Sequence, residues 1–448
     1  MRSLLCCLLV AGAVAQSGPR VDTSQTTENL RGVSAVSRQV AWASGTHGTY
    51  LRTTDAGRTW ASAEVPDAVN LDFRGVVAFS ADEAFLLSAG PGDQSRIYHT
   101  ADAGQHWQLQ FKNDNPKGFF DSIAFWDSKH GIALGDPIPD ESGKLHFELL
   151  LTDDGQTWHA IPPSQLPEAI AGEGAFAASN TCLAILRTQS VILSGAVAQA
   201  QREQLRSRRT PTLSSQPDVS VGFFLNSPTQ DTLSKSGPSD PALSSPEGER
   251  ETSEDRGAPV PSAPDPNIWF ATGGKVARVF HSSDRGQTWQ VFDTPILHGP
   301  DSAGIFSIAF RDPLHGVIAG GDYKHPKDDG PDLAFTADGG QTWNLSQLHP
   351  QAYFSAIAYD LRVNQAALHQ QAEQKAAEQT GKKLRMQPTA PERLFIIGPD
   401  FIFDFRPPAN PRRIGGKKKQ ALAFNAVSPY PEGGALVVGP KGSIAFIP

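Results

Sequence analysis

Cysteine is scarce, with three in 448 residues, and two of these, Cys6 and Cys7, sit inside the apolar N-terminal stretch. Once that stretch is removed, Cys182 stands alone and no internal disulfide can form. There is no H-E-x-x-H, no paired-cysteine motif and no carboxylate loop with calcium spacing, so neither a metal nor a cofactor is expected. Positive charge is not in excess either. Lys and Arg total 39 against 47 Asp and Glu, a net charge of -8, which speaks against general nucleic-acid binding. The apolar run over 4–15 is too short to span a membrane, and no second hydrophobic anchor follows it. What is abundant is Gly (41) and Pro (35), which suits many short strands joined by turns.

The N-terminus, "MRSLLCCLLVAGAVAQSG", has one arginine, a short apolar core and the small-residue pattern Ala13-Val14-Ala15. That is the anatomy of a secretory signal peptide over residues 1–15. The expectation is an exported protein, periplasmic or extracellular, and monomeric.

One octapeptide recurs five times: "TTDAGRTW" (53–60), "TADAGQHW" (100–107), "LTDDGQTW" (151–158), "SSDRGQTW" (282–289) and "TADGGQTW" (336–343). Its aspartates (Asp55, Asp102, Asp153, Asp284, Asp338) can accept N–H bonds within their own turn. Its glycines (Gly57, Gly104, Gly155, Gly286, Gly340) suit positive φ. Its tryptophans (Trp60, Trp107, Trp158, Trp289, Trp343) can begin an outer strand and bury a ring against a neighbour. Each position has a folding task, so the motif reads as a structural turn. Two apolar runs precede each copy, giving four short strands per repeat, which is one blade of a β-propeller.

Inner strands are expected near 32–36, 75–79, 122–125, 174–178, 306–310, 354–359 and 421–427, which makes an all-β, seven-bladed β-propeller over 16–448. Residues 20–24 are placed to supply the last outer strand and close the ring. Two insertions interrupt it. Residues 186–266, rich in Ser and Pro and poor in aromatics, are expected to be disordered within the fourth blade. Residues 360–390, rich in Ala, Gln, Glu and Lys, are expected to form a helix within the sixth. Both lie between an inner and a second strand, on the face of the octapeptide turns, leaving the opposite face clear.

Candidate binding residues fall on that opposite face: Arg31, Arg74, His47, Asp121, Asp136, and Asp322, Lys324 and His325 in "GGDYKHPKDDGPD". Arg31 and Arg74 share an "(L/F)RGV" context in adjacent blades. Two guanidiniums at a channel mouth suit carboxylate or phosphate. Equally, each could tie its blade to the next. "RRIGGKKK" (412–419) reads as a basic loop.

The octapeptide resembles the Asp box, S/T-x-D-x-G-x-T-W, of sialidase-type (BNR) propellers, with Leu151 and His106 as departures. A sialidase needs an arginine triad, a Tyr–Glu pair and an Asp. Here "FRDP" (310–313) and "FRPP" (405–408) are misplaced for that family's arginine motif, and no catalytic residue is assigned. With "NLRGVSAV" and "LRTTDAGRTW" in view, the chain resembles the photosystem II stability/assembly factor type of Asp-box propeller. That resemblance implies a non-enzymatic protein that binds newly made membrane-protein subunits through a basic face, with Arg31 and Arg74 best placed to correspond to it. The alternative is a secreted glycoside hydrolase of the sialidase type, with a glycan as ligand.

Overall fold

The structure is a computed structural model, and it describes residues 20–186, 267–347, 353–362, 392–398, 401–406, 412–414 and 423–448. Residues 1–15, read as a signal peptide, all but Leu186 of the 186–266 segment read as disordered, and nearly all of the 360–390 segment read as a helix lie outside the described residues.

The described residues form a seven-bladed β-propeller built of antiparallel sheets. The first blade runs Leu30–Ala35, Ala41–Gly45, Thr49–Thr53 and Ala61–Glu64, from the axis outward. The second runs Phe73–Ala78, Ala84–Ser88, Arg96–Thr100 and Gln108–Lys112. The third runs Phe120–Phe125, Gly131–Pro139, Leu145–Thr152 and His159–Ala160. The fourth pairs Leu183–Leu186 with Asn267–Ala271, then Arg278–Ser282 and Gln290–Asp293. The fifth runs Ala303–Phe310, Gly316–Asp322, Leu333–Thr336 and Asn344–Leu345. The sixth runs Ala356–Tyr359, Leu394–Gly398, Phe401–Phe405 and Arg412–Ile414.

The seventh blade joins both ends of the chain. Ala426–Pro429, Ala435–Gly439 and Ser443–Ile447 are completed by Arg20–Thr23, with Arg20 opposite Phe446 and Thr23 opposite Ser443. The ring therefore closes as its sequence suggested, and the edge of Ser443–Ile447 is covered.

Two expected strands move. The inner strand of the fourth blade is Leu183–Leu186, not 174–178. Glu173–Gly174 pairs instead with Gly273–Gly274, which in turn meets the start of the fifth blade's inner strand. The apolar run after Cys182 fills the junction cores, while residues 175–177 of "GAFA" stay outside the sheet. The seventh inner strand begins at Ala426, later than expected. Arg412–Ile414, read as part of a loop, is an outer strand.

Burial follows the ring. Seven buried apolar clusters form, one at each junction between neighbouring blades. Each octapeptide tryptophan sits in the cluster shared with the preceding blade. Trp107, for example, lies edge-on to Tyr50 at 5.0 Å and to Trp42 at 6.2 Å, both in the first blade. Such contacts add about 0.5–1.5 kcal/mol each beyond buried area. The repeat thus fixes how one blade seats on the next.

The turns themselves share one hydrogen-bond pattern. Asp55 accepts from Thr53 Oγ1 (2.9 Å), the Thr59 N–H (2.9 Å) and Thr59 Oγ1 (2.7 Å), while the Gly57 N–H donates to Thr53 Oγ1 (3.0 Å). Asp102, Asp284 and Asp338 repeat it. Gly57 has φ 71°, and a Cβ there would collide with the Phe446 ring. The copy at 151–158 differs from its alignment. Asp154, not Asp153, accepts from Thr152, Gln156 and Thr157. The turn is one residue shorter, so Thr152 takes the hydroxyl position that Leu151 could not fill. Asp153 is left on the surface, 3.8 Å from His159.

Candidate functional site

All seven inner strands start on the face opposite the octapeptide turns, and four of them start with a β-bulge. The register slips between Leu30 and Gly32, Phe73 and Gly75, Phe120 and Ser122, and Ile305 and Ser307. The extra residues are Arg31, Arg74, Asp121 and Phe306, at equivalent positions around the axis. A bulge leaves its extra residue outside the ladder and re-aims it. The residue that follows is small because the next blade is close. A Cβ on Gly32 would lie 2.8 Å from the Arg74 carbonyl oxygen, and one on Gly75 2.8 Å from Asn180 Oδ1. The pattern apolar–X–Gly/Ser thus writes the channel mouth into the sequence.

The two arginines meet at one carboxylate. Arg74 Nε donates to Asp72 Oδ2 at 2.9 Å, and its Nη1 donates to the Ala177 carbonyl at 2.9 Å. Arg31 Nε is 3.6 Å from Asp72 Oδ1, an ion pair too long for a hydrogen bond. Both guanidiniums are about one-third exposed. Burial draws the Arg31 pKa down, Asp72 opposes that, and Arg74 adds to it. Two cations sharing one anion leave a positive charge at the mouth, with donors on Arg31 to spare.

Asp121 and Asp136 lie deeper. Burial, and then the Asp136 carboxylate, push the Asp121 pKa well above its usual range against the pull of Arg74. Its Oδ2 has no hydrogen-bond partner among the described residues. Burial lifts Asp136 to about 6, though the Ala175 N–H donates to its Oδ1 at 2.9 Å.

Aromatic rings complete the mouth. Phe306 packs at 4.5 Å against Phe176 with the rings tilted by 49°, and Tyr353 and Tyr323 approach it at 5.6 and 6.2 Å. Arg31 and Tyr353 are close enough to perturb each other's ionisation. Tyr323 is 46% exposed.

Of the residues singled out from sequence, Arg31, Arg74, Asp121 and Asp136 come together, and the others do not join them. His47 sits in the turn between the first blade's second and third strands and pairs with Glu28 at 2.7 Å, which raises its pKa. Asp322 serves its own loop. It accepts from the Lys324 N–H at 2.9 Å and meets His325 Nδ1 at 2.8 Å, and bonds of this kind hold its pKa low in spite of burial. Lys324 lies 6.0 Å from the Tyr323 ring. Residues the sequence reading missed are Asp72, Phe176, Phe306, Tyr323 and Tyr353. Asp72 could have been found two positions before Arg74 in "LDFRGV".

The pair required by a sialidase does occur, at the other end of the strands. Tyr359, the last residue of the sixth inner strand and 4% exposed, bonds Glu392. Arg311 pairs with Glu392 at 3.2 Å and with Asp312 at 3.4 Å. This cluster lies on the octapeptide-turn face, away from Arg31 and Arg74, and its tyrosine is buried. Among the described residues no group of three or more His, Cys, Asp or Glu could hold a metal ion, and no helix is long and apolar enough to cross a membrane.

No protein-family model and no curated protein sequence matches the chain. Solved structures do. One is "YCF48 bound to D1 peptide", at 14% identity and TM-score 0.36, covering 97% of this chain and 96% of that one. Another is YCF48 from Cyanidioschyzon merolae, at 12% identity and TM-score 0.35, covering 96% and 99%. The WD40 propeller domain of Doa1 follows at 8% identity and TM-score 0.48, covering 96% and 97%. At these identities and scores the fold rests on the chain's own strand pairing, and that pairing makes it a seven-bladed β-propeller.

Proposed function

We propose that this chain is an exported, non-enzymatic Asp-box propeller that binds a protein partner at its channel mouth and assists the assembly or stability of a membrane-protein complex. The observation that carries the reading is the Arg31–Asp72–Arg74 cluster beside the Phe176–Phe306–Tyr353 rings. Two guanidiniums balanced by one carboxylate suit a second, incoming carboxylate, from an acidic side chain or a chain terminus. A charged hydrogen bond of this kind is worth about 1.5–3 kcal/mol. With buried Phe306 as their support, Phe176, Tyr353 and the exposed Tyr323 offer apolar area at low entropic cost to the residues flanking it. The N-terminal sequence supports export, and the likeness of "NLRGVSAV…LRTTDAGRTW" to the assembly-factor type supports the partner class.

The test is crosslinking in the native envelope fraction, with partners identified for the mature wild-type chain and for Arg31→Glu. Arg31 is the better target, since Arg74 also holds Ala177. A membrane-protein partner lost in a folded Arg31→Glu variant supports the reading. A partner retained at full yield removes the mouth from it.

A further inference from the structure

A second recess lies away from the channel, between the second and third blades. We infer that this cleft binds an organic cation, a guanidinium or ammonium group on a short aliphatic stem. The cleft has a volume of about 380 Å³ and its walls are mainly apolar, with Phe111, Ile138, Ile161 and Leu166 among them. Such walls suit a hydrocarbon stem.

Its polar atoms decide the head group. The Asn113 side chain is fixed, because its Oδ1 accepts the Asn115 N–H at 2.9 Å. Its Nδ2 is buried without a partner among the described residues. Glu148 Oε2 is buried beside it, near enough for the Asn113 amide to draw the carboxyl pKa down, though neither atom has a partner in full bonding geometry. Both atoms border Gly118, where a Cβ would collide with them, so the glycine keeps that space open. His146 is buried, and its Nε2 lies 3.2 Å from Asp140 Oδ2. A carboxylate only accepts, so Nε2 carries the hydrogen and Nδ1 is left as a free acceptor. Nδ1 has no partner among the described residues.

Unmet acceptors therefore outnumber unmet donors. Asp114 and Asp140 line the same cleft, with Lys112 as its one cation. A guanidinium carries five donors and an ammonium three, and neither accepts. Burial costs of this size persist where something satisfies the groups.

Glu148 adds a pH signature. Burial lifts its carboxyl to about 7, opposed by the Asn113 amide and assisted by Asp136. The groups facing it are Lys112, Asn113 and Asp114 from the second blade, and Asp136, Asp140 and His146 from its own. A cation prefers the ionised form, so affinity rises with pH through that value.

The test is titration calorimetry of the mature chain with n-butylguanidinium, and with n-butylurea as its uncharged analogue. Butylguanidinium should bind roughly tenfold more tightly at about pH 8 than at about pH 6, following the ionised fraction of Glu148. Butylurea should bind at least about tenfold more weakly, and Glu148→Gln should lose a similar factor. A capped Ala-Arg-Ala peptide in parallel tells a side chain from a free ligand: tighter binding by the peptide places the cation on a protein. Leu166→Trp, which adds bulk from the cleft's apolar wall and leaves its polar residues unchanged, should abolish binding even if Glu148→Gln fails to fold. Equal binding of butylurea, or unchanged affinity in Glu148→Gln or Leu166→Trp, overturns the inference. The channel-mouth reading stands or falls separately, since Arg31→Glu leaves this cleft intact.

Discussion

Replacing Arg393 by methionine should cost about 3 kcal/mol of stability at neutral pH. Arg393 immediately precedes the second strand of the sixth blade and is buried. Its Nε and Nη2 donate to the two oxygens of Asp404 at 2.9 and 3.0 Å, Nη1 donates to Asp360 Oδ2 at 3.0 Å, and Nη2 reaches the Pro448 carbonyl at 2.8 Å. One side chain thus ties three strands of its blade to the C-terminal end of the seventh. Methionine keeps the stem's apolar contact, so the loss is electrostatic. Orphaning a buried charge costs about 3–5 kcal/mol. The low end applies, since Asp360 keeps the N–H groups of Gly434 and Arg362 and Asp404 keeps Arg406. The sign with pH can be fixed as well. Burial alone would raise the Asp404 pKa, but the bonds from Arg393 and Arg406 outweigh it and hold it below the usual range. That stabilisation is present at neutral pH and is lost as pH falls through the folded pKa. The variant should therefore approach wild type as acid protonates Asp404. Urea denaturation at about pH 7 and about pH 4 measures this. A loss under about 1 kcal/mol, or one unchanged between the two pH values, refutes the reasoning.

Further outcomes follow from the same geometry. Asp154→Ala should lower the melting temperature, while Asp153→Ala should leave it within error; thermal unfolding of the two decides which aspartate builds that turn. The equivalent Asp55, Asp102 and Asp338 are held near 2, by bonds within their turns in every case and against burial for Asp338. Their stabilisation should be full above about pH 4 and be lost progressively as pH falls from there to about 2, seen as an unfolding free energy that declines over that window. Asp136→Asn should stabilise the protein increasingly as pH rises from about 4 and fully above about pH 6, because a carboxyl whose folded pKa is raised costs stability wherever the unfolded chain would ionise it. Denaturation at about pH 3 and about pH 8 should show a gain only at the higher value, and a loss at both would sink the assignment. Deleting residues 1–24 should uncover the edge of Ser443–Ile447 and produce concentration-dependent association, read by light scattering.

Much of the ring was legible because its repeat combines a local turn with a long-range contact. Asp, Gly and Trp at fixed spacing specify hydrogen bonds within a few residues and a ring buried on the preceding blade. Local periodicity misled where tertiary pairing took over. The "GAFA" segment reads as an inner strand, yet Glu173–Gly174 pairs with Gly273–Gly274, a partner some hundred residues along the chain. Asp153 aligned with its repeat neighbours, but the turn is one residue shorter and Asp154 makes the bonds. At the mouth, Arg31 and Arg74 were visible by their shared context. Asp72 was hidden because its value lies in reaching both arginines at once. Tyr353 and Phe176 were hidden because only ring closure brings them beside Phe306. The cleft at Glu148 left no motif, since its atoms come from two blades and from the absent side chain of Gly118.

The central claim is that a partner is bound on the face bearing Arg31 and not on the face of the octapeptide turns. A photoreactive residue placed at Tyr323 and, separately, at Thr59 reports on the two faces in the native envelope. The account predicts a specific adduct from position 323, lost on adding Arg31→Glu, and none from position 59. An adduct from position 59 alone, or one from 323 that survives Arg31→Glu, would contradict it.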